Sequence, residues 1–140
     1  MSRVVTEARA WIGTPYVHQS SARGAGCDCL GLIRGVWRAI HGDEPVEVPR
    51  YLPDWDEPQG EERLWSAATR HLWPRDEVAP GCVLLFRMRS GAVAKHLGIV
   101  AEVGAAPTFI HAYSGHGVIE SPLSSPWRRR IVAVFGLEKE

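Results

Sequence analysis

The sequence predicts an α+β domain in which an antiparallel β-sheet packs against a helix that begins at Cys29. Helix-type periodicity is confined to the first half of the chain, and short β-branched or aromatic runs separated by Gly and Pro fill the second. At 140 residues and 45% hydrophobic content the chain suits one core, so residues 1–140 are expected to form a single domain.

Residues 2–12 read as a short helix, with Ser2 as its cap, Val5, Ala8 and Ile12 on one face, and Gly13 with Thr14-Pro15 as its stop. Tyr16 to Gly26 carries Ser20, Ser21, Gly24 and Gly26 and reads as loop. From Cys29 to Ile40, Leu30, Ile33, Trp37 and Ile40 recur at steps of three and four, with Asp28 as N-cap and Gly42 as stop. Gly31 lies early in this helix, where a missing side chain lets another backbone approach. The stretch Asp43–Gly60 holds Pro45, Pro49, Pro53 and Pro58 and reads as an irregular excursion. Residues 61–73 align Leu64, Ala68 and Leu72 as a further helix. Strands are expected at Cys82–Met88, His96–Val103, Thr108–Tyr113, Gly117–Glu120 and Ile131–Leu137.

Sixteen Lys+Arg balance sixteen Asp+Glu, so no global field draws the chain to nucleic acid or to an anionic membrane. Arg128-Arg129-Arg130 is a local basic run and reads as a solvated edge. No apolar run reaches membrane-spanning length, and Met1–Glu7 lacks the basic and apolar regions of a secretory signal, so synthesis in a cytoplasm is the expectation. Three cysteines in such a chain argue for reduced thiols rather than a disulfide framework.

Chemistry concentrates at three residues. Cys29 stands at the first turn of a helix, where unpaired N–H groups and the macrodipole favour the reactive thiolate. His96 opens one strand, and His111 lies on the next, fifteen positions on. Pairing of those strands as a hairpin brings the two imidazoles together, and a helix packed on that end presents Cys29 to His96 with His111 as orienter. Nucleophile, base and orienter on a helix plus sheet is the papain-like arrangement. A buried filler cysteine and structural histidines are the bland readings of the same residues. A zinc site built on Cys27 and Cys29 with His18, His96, His111 or His116 is poorly supported, because no paired short-range ligand hooks are present. No metal and no cofactor is therefore expected.

Five ordered segments sharpen the choice: Gly13–Tyr16, Gly26–Leu32, Pro80–Phe86, His96–Val100 and Phe109–Ala112. Together they resemble the motifs G-T-x-Y, D-C-S-G, P-G-D-L-x-F-F, H-V-G-I and I-H-A of NlpC/P60 cysteine peptidases. The Cys27-Asp28-Cys29-Leu30-Gly31-Leu32 segment is similar to that of stand-alone phage-tail and gene-transfer-agent cell wall peptidases. The resemblance implies Cys29 as nucleophile, His96 as base, His111 as third member and Tyr16 as an oxyanion donor. Asp28 is a further candidate near substrate, and His18, two positions after Tyr16, either lines the cleft or is simply exposed. The resemblance also implies hydrolysis of the γ-D-glutamyl to diaminopimelate bond in peptidoglycan stems, by a protein carried in a phage-like tail. Leu30 stands where the family usually has Ser, and Cys82 where it has Asp. The rival functions are a thiol acyltransferase or amidase on the same fold and a catalytically silent tail-hub module. The order of Cys29 before His96 favours the hydrolase over circularly permuted acyltransferases. On this reading Asp43–Gly60 with Trp55, and Ser121–Arg130 with Trp127, are the surfaces expected to dock to tail-hub proteins.

Overall fold

The computed structural model describes residues 2–44, 62–88 and 91–139. Helix α1 spans Arg3–Arg9, and the Ser2 hydroxyl caps it by accepting from the Val5 N–H at 3.3 Å. Strands β1 (Ser21–Ala22) and β2 (Gly26–Cys27) form a minimal antiparallel pair inside the stretch read as loop. Helix α2 follows at Cys29–His41, one residue longer than its periodicity suggested, and ends where Gly42 takes φ 92°, a conformation that L side chains rarely adopt. Helix α3 covers Arg63–His71 and buries Leu64 and Ala68. The remaining elements are β3 (Trp73–Pro74), β4 (Val83–Arg87), β5 (Ala94–Glu102), β6 (Thr108–Tyr113), β7 (Gly117–Pro122), α4 (Ser125–Arg128) and β8 (Ile131–Gly136). Beyond Asp43 and Glu44, the Pro-rich excursion, Trp55 included, lies outside the described residues.

The six long-sheet strands run β3-β8-β4-β5-β6-β7, and each neighbouring pair is antiparallel, as the fold class requires. Side chains alternate across it, and both faces are covered. On one face Leu85, Leu97, Ile99 and Ile110 pack against Leu32, Ile33 and Val36 of α2. On the other, Leu84, Phe86, Val100 and Phe109 pack with Leu123 and Trp127. Double coverage explains why Cys82–Phe86 reads as an unbroken apolar run instead of alternating. Leu32 and Val36 have no exposed surface, and burial of each contributes about 1.5–3 kcal/mol, which fixes α2 on the sheet.

One helix face differs from its expected pattern. After Arg9 the backbone tightens, with the Trp11 N–H bonded to Ala8 O and the Ile12 N–H to Arg9 O. That extra rotation turns Trp11 inward to 5% exposure and leaves Ile12 45% exposed. The Trp11 ring lies so close to Gly35 of α2 that a Cβ there would stand 2.0 Å from its Cζ2.

Gly35→Ala should therefore destabilise the fold even though alanine is the better helix former by about 1 kcal/mol. The overlap with Trp11 costs about 1–3 kcal/mol, to which the propensity gain is already the smaller opponent. Urea unfolding measures the midpoint; a variant as stable as the parent would show that Trp11 is not seated on Gly35.

Candidate active site

The site begins with Asp28. Its side chain is buried, at 3% exposure, and both oxygens are committed: Oδ1 accepts from the Gly31 N–H and Oδ2 from the Gln19 N–H, each at 2.7 Å. The first bond caps α2; the second pulls the 19–20 loop over the helix start, with Gln19 at φ 65°. The Asp28 N–H closes the turn on Ser20 O at 3.3 Å, and Ser21 Oγ donates to Gly31 O at 2.6 Å. A Cβ on Gly31 would sit 1.8 Å from Ser20 O, so the close approach inferred from that glycine is real, and its partner is the Ser20 carbonyl. Tyr16 is strapped beside Cys27 by bonds from Cys27 N–H to Pro15 O (3.0 Å) and from Val17 N–H to Cys27 O (3.1 Å).

Cys29 is half-buried at the first position of α2. Its thiol reaches Lys95 O at 3.8 Å, and its sulfur accepts from the backbone N–H groups of Leu97 and Leu30. The sulfur thus lies against the strand backbone on both sides of His96. Two features of β5 open that position. Pairing to β4 steps from Phe86↔His96 to Arg87↔Ala94, leaving Lys95 as the extra residue of a bulge. Pairing to β6 runs from Glu102↔Thr108 to Ile99↔Ile110 and stops short of His96, which frees the Leu97 N–H for the sulfur.

His96 and His111 meet as their strands suggest. His96 Nε2 lies 2.8 Å from His111 Nδ1, and His111 Nε2 lies 3.0 Å from Ser121 Oγ on β7. The bond between the two rings occupies His96 Nε2 and leaves Nδ1 as that ring's other nitrogen. The two rings lie in an aromatic box. Phe109 stacks on His111 at 4.1 Å, and Trp127 of α4 covers His111 at 5.2 Å and His96 at 5.7 Å. Phe86 and Tyr113 complete it around His96.

This environment disfavours every charge taken alone. Burial, then the neighbouring imidazole, pushes His96 down to about 3; burial and His116 push His111 down to about 4. Burial and then the Asp28 carboxylate push the Cys29 thiol up to about 12, against the small opposing pull of the Leu97 and Leu30 N–H groups. The thiolate expected from the helix terminus is therefore not the resting form: the carboxylate that caps the helix also repels an anion beside it. Burial first, and then the nearby Cys29, Asp28 and Cys27 groups, raises Tyr16 to about 12, so its phenol stays protonated and able to donate.

Not every candidate has the place expected of it. Asp28, grouped with the substrate contacts, is a buried cap with its oxygens already used. His18 keeps Nδ1 3.8 Å from the Asp28 carboxylate, with 33% of its side chain exposed at the edge of the loop. Cys27 is buried and Cys82 lies in the far-side core, both as free thiols. Among the described residues no three His, Cys, Asp or Glu side chains gather in a way that suits a metal ion, and no helix is long and apolar enough to cross a membrane. The segment Ser121–Arg130 places Ser121 on His111 and Trp127 over the histidine pair. Those two contacts escaped the sequence because nothing in it aligns β7 and α4 with the histidine face; only the β6–β7 register, Phe109↔Ser121, does so.

The chain matches the model of the NlpC/P60 family over residues 13–135. It is 30% identical over 132 residues to a γ-DL-glutamyl hydrolase of Bacillus subtilis, covering 94% of this chain and 28% of that protein. It is 27% identical over 130 residues to the murein DD-endopeptidase MepS/murein LD-carboxypeptidase of Escherichia coli, covering 92% of this chain and 58% of that one. The chain thus spans about a quarter to under two thirds of these relatives. Its fold matches that of the NlpC/p60 domain of the peptidoglycan hydrolase SagA with TM-score 0.61 and 24% identity, over 95% of both chains. An NLP/P60 lipoprotein-like structure from Staphylococcus aureus matches with TM-score 0.63 and 20% identity over 98% of this chain and 41% of that one. With five ordered motifs, the antiparallel sheet and a family match across most of its length, the chain belongs to the NlpC/P60 family.

Proposed function

We propose that this chain is a cysteine endopeptidase that hydrolyses the peptide stems of bacterial cell wall. The observation that carries the reading is the sulfur of Cys29 seated against the backbone on both sides of His96, whose far nitrogen is held by His111 at 2.8 Å. Family membership supports the hydrolytic class, and the relatives named for murein and γ-glutamyl hydrolysis support the substrate.

Both reacting groups start uncharged, so the proton moves as the bond forms. His96 Nδ1 takes the thiol proton while sulfur attacks the scissile carbonyl carbon. Neither charge is then buried alone: the imidazolium stands beside the developing oxyanion, and its Nε2–H donates to His111 Nδ1. On this reading the Cys29 N–H and the Tyr16 hydroxyl donate to the oxyanion, a contribution of about 10²–10³ in rate per donor in comparable sites. Collapse breaks the C–N bond as His96 returns the proton to the leaving amine. Water, deprotonated by His96, then hydrolyses the thioester and restores the thiol. Two finer assignments rest on resemblance: the bond is the γ-D-glutamyl to diaminopimelate linkage, and the protein travels in a phage-like tail that opens the wall during DNA delivery.

Purified sacculi incubated with the protein should release cleaved stem peptides, and Cys29→Ala should release none. Mass analysis of the fragments reads the bond directly; intact stems in the presence of folded parent protein would overturn the hydrolase reading.

The buried histidines also set a pH dependence. Each is held below the ordinary value of 6.5, so the unfolded chain binds more protons between pH 6.5 and about 4. Their contribution to stability is complete above about pH 6.5 and is lost as pH falls toward those depressed values. The slope is up to about 1.4 kcal/mol per pH unit for each histidine. Urea midpoints should drop between pH 7 and pH 5, and less steeply in His111→Gln. Equal midpoints for the parent at the two pH values would contradict the burial of the pair as neutral rings.

A further inference from the structure

We infer that Ser121 is a positioning residue that fixes the tautomer of both histidines, and so decides whether His96 can act as a base; this deepens the proposed peptidase reading and rests on it. His96 accepts a proton at Nδ1 only if that nitrogen carries a lone pair. In the neutral ring its proton is then on Nε2, which must donate across the 2.8 Å contact to His111 Nδ1. His111 Nδ1 must therefore be an acceptor, which places the His111 proton on Nε2. The Nε2 atom faces Ser121 Oγ at 3.0 Å. His111 is 0% exposed, so water offers that N–H no substitute, and a buried donor left unpaired is disfavoured strongly enough to reverse the tautomer.

The opposite arrangement shows what the serine prevents. A His111 proton on Nδ1 would point at His96 Nε2 and force the His96 proton onto Nδ1, where it blocks transfer from the thiol. A hydroxyl can accept from His111 Nε2 only if its own proton has another destination. Ser121 is half-exposed at the end of β7, so that proton is directed to solvent. The chain of donors then runs one way, from His96 through His111 and Ser121 to water. The strand register builds this chain: Phe109 pairs with Ser121 and His111 with Ile119, so Ser121 and His111 are diagonal neighbours on one face of the β6–β7 pair.

The test uses the full chain with Ser121→Ala and Ser121→Thr, the second keeping a hydroxyl on a β-branched residue suited to a strand. Three quantities are read: nitrogen-15 shifts of the His96 and His111 rings, the rate of Cys29 alkylation by iodoacetamide against pH, and release of stem peptides from sacculi. In the parent, His111 should carry its proton on Nε2. Ser121→Ala should move a substantial fraction of it to Nδ1 and slow both alkylation and cleavage about tenfold, and Ser121→Thr should restore all three to within a few-fold of the parent. Unchanged ring shifts and rates in Ser121→Ala would overturn the assignment, as would equal losses in both variants with the His111 tautomer unmoved. Because ring shifts and alkylation need no substrate, absence of sacculus cleavage by the parent refutes the peptidase reading without deciding this one.

Discussion

The carboxylate of Asp28, bonded at 2.7 Å to the N–H groups of both Gln19 and Gly31, holds together the two pieces of chain from which the site is made. One bond starts α2 and so sets where Cys29 stands; the other draws the preceding loop across the helix end. With that loop fixed, Tyr16 is held beside Cys27 and Ser20 O closes on Gly31. Removing the carboxylate would leave the Gly31 and Gln19 N–H groups without their acceptor, at about 1–3 kcal/mol for each one that stays buried. The same charge has a chemical consequence. It lies next to the sulfur and opposes the thiolate, so the helix terminus that would favour an anion by about 0.3–1 kcal/mol is already neutralised by its own cap. On the proposed reading, reactivity then comes from His96 taking the proton during attack.

The sheet supplies the second half of the arrangement through two local irregularities. A regular β5–β6 ladder would bond the Leu97 N–H to β6 and close the gap. Instead the ladder ends at Ile99↔Ile110, and the Lys95 bulge turns a carbonyl toward the thiol. The sulfur reaches this split edge from the α2 side, and the imidazoles pack with Phe86, Phe109 and Trp127 on the far side. Trp127 seals the far side, and with Phe86 and Phe109 it keeps the histidine pair dry. A dry pair is costly to protonate, which keeps both imidazoles uncharged near neutral pH.

Much of this was legible in the sequence where one residue does one local job. Asp28 as cap, Gly42 as stop, Gly31 as a point of close approach and the Cys29 helix are each dictated by a few adjacent residues. The five expected strands differ from the observed ones by two residues or fewer at any end. The His96–His111 contact was reachable because a hairpin constrains its own partners. What escaped depends on tertiary context. The inward turn of Trp11 in place of Ile12 follows from a tightened helix end seated on Gly35. Strand β3 and helix α4 are two and four residues long, too short for any periodicity to register. The contacts of Ser121 and Trp127 with the histidine pair were not visible in the sequence because nothing local ties them to His111. The resting protonation of Cys29 was misjudged for the same reason: the dipole is visible in sequence, whereas burial and the aim of the Asp28 charge are not.

The central claim is that Cys29, with His96 behind it, is the nucleophile that attacks the stem carbonyl. It is tested most directly by a stem peptide carrying a vinyl sulfone in place of the scissile amide, followed by mass analysis of the digested protein. The account predicts a single covalent adduct on Cys29, with Cys27 and Cys82 unmodified and with adduct formation lost in His96→Ala. Modification of Cys27 or Cys82 in its place, or equal labelling of Cys29 without His96, would contradict it.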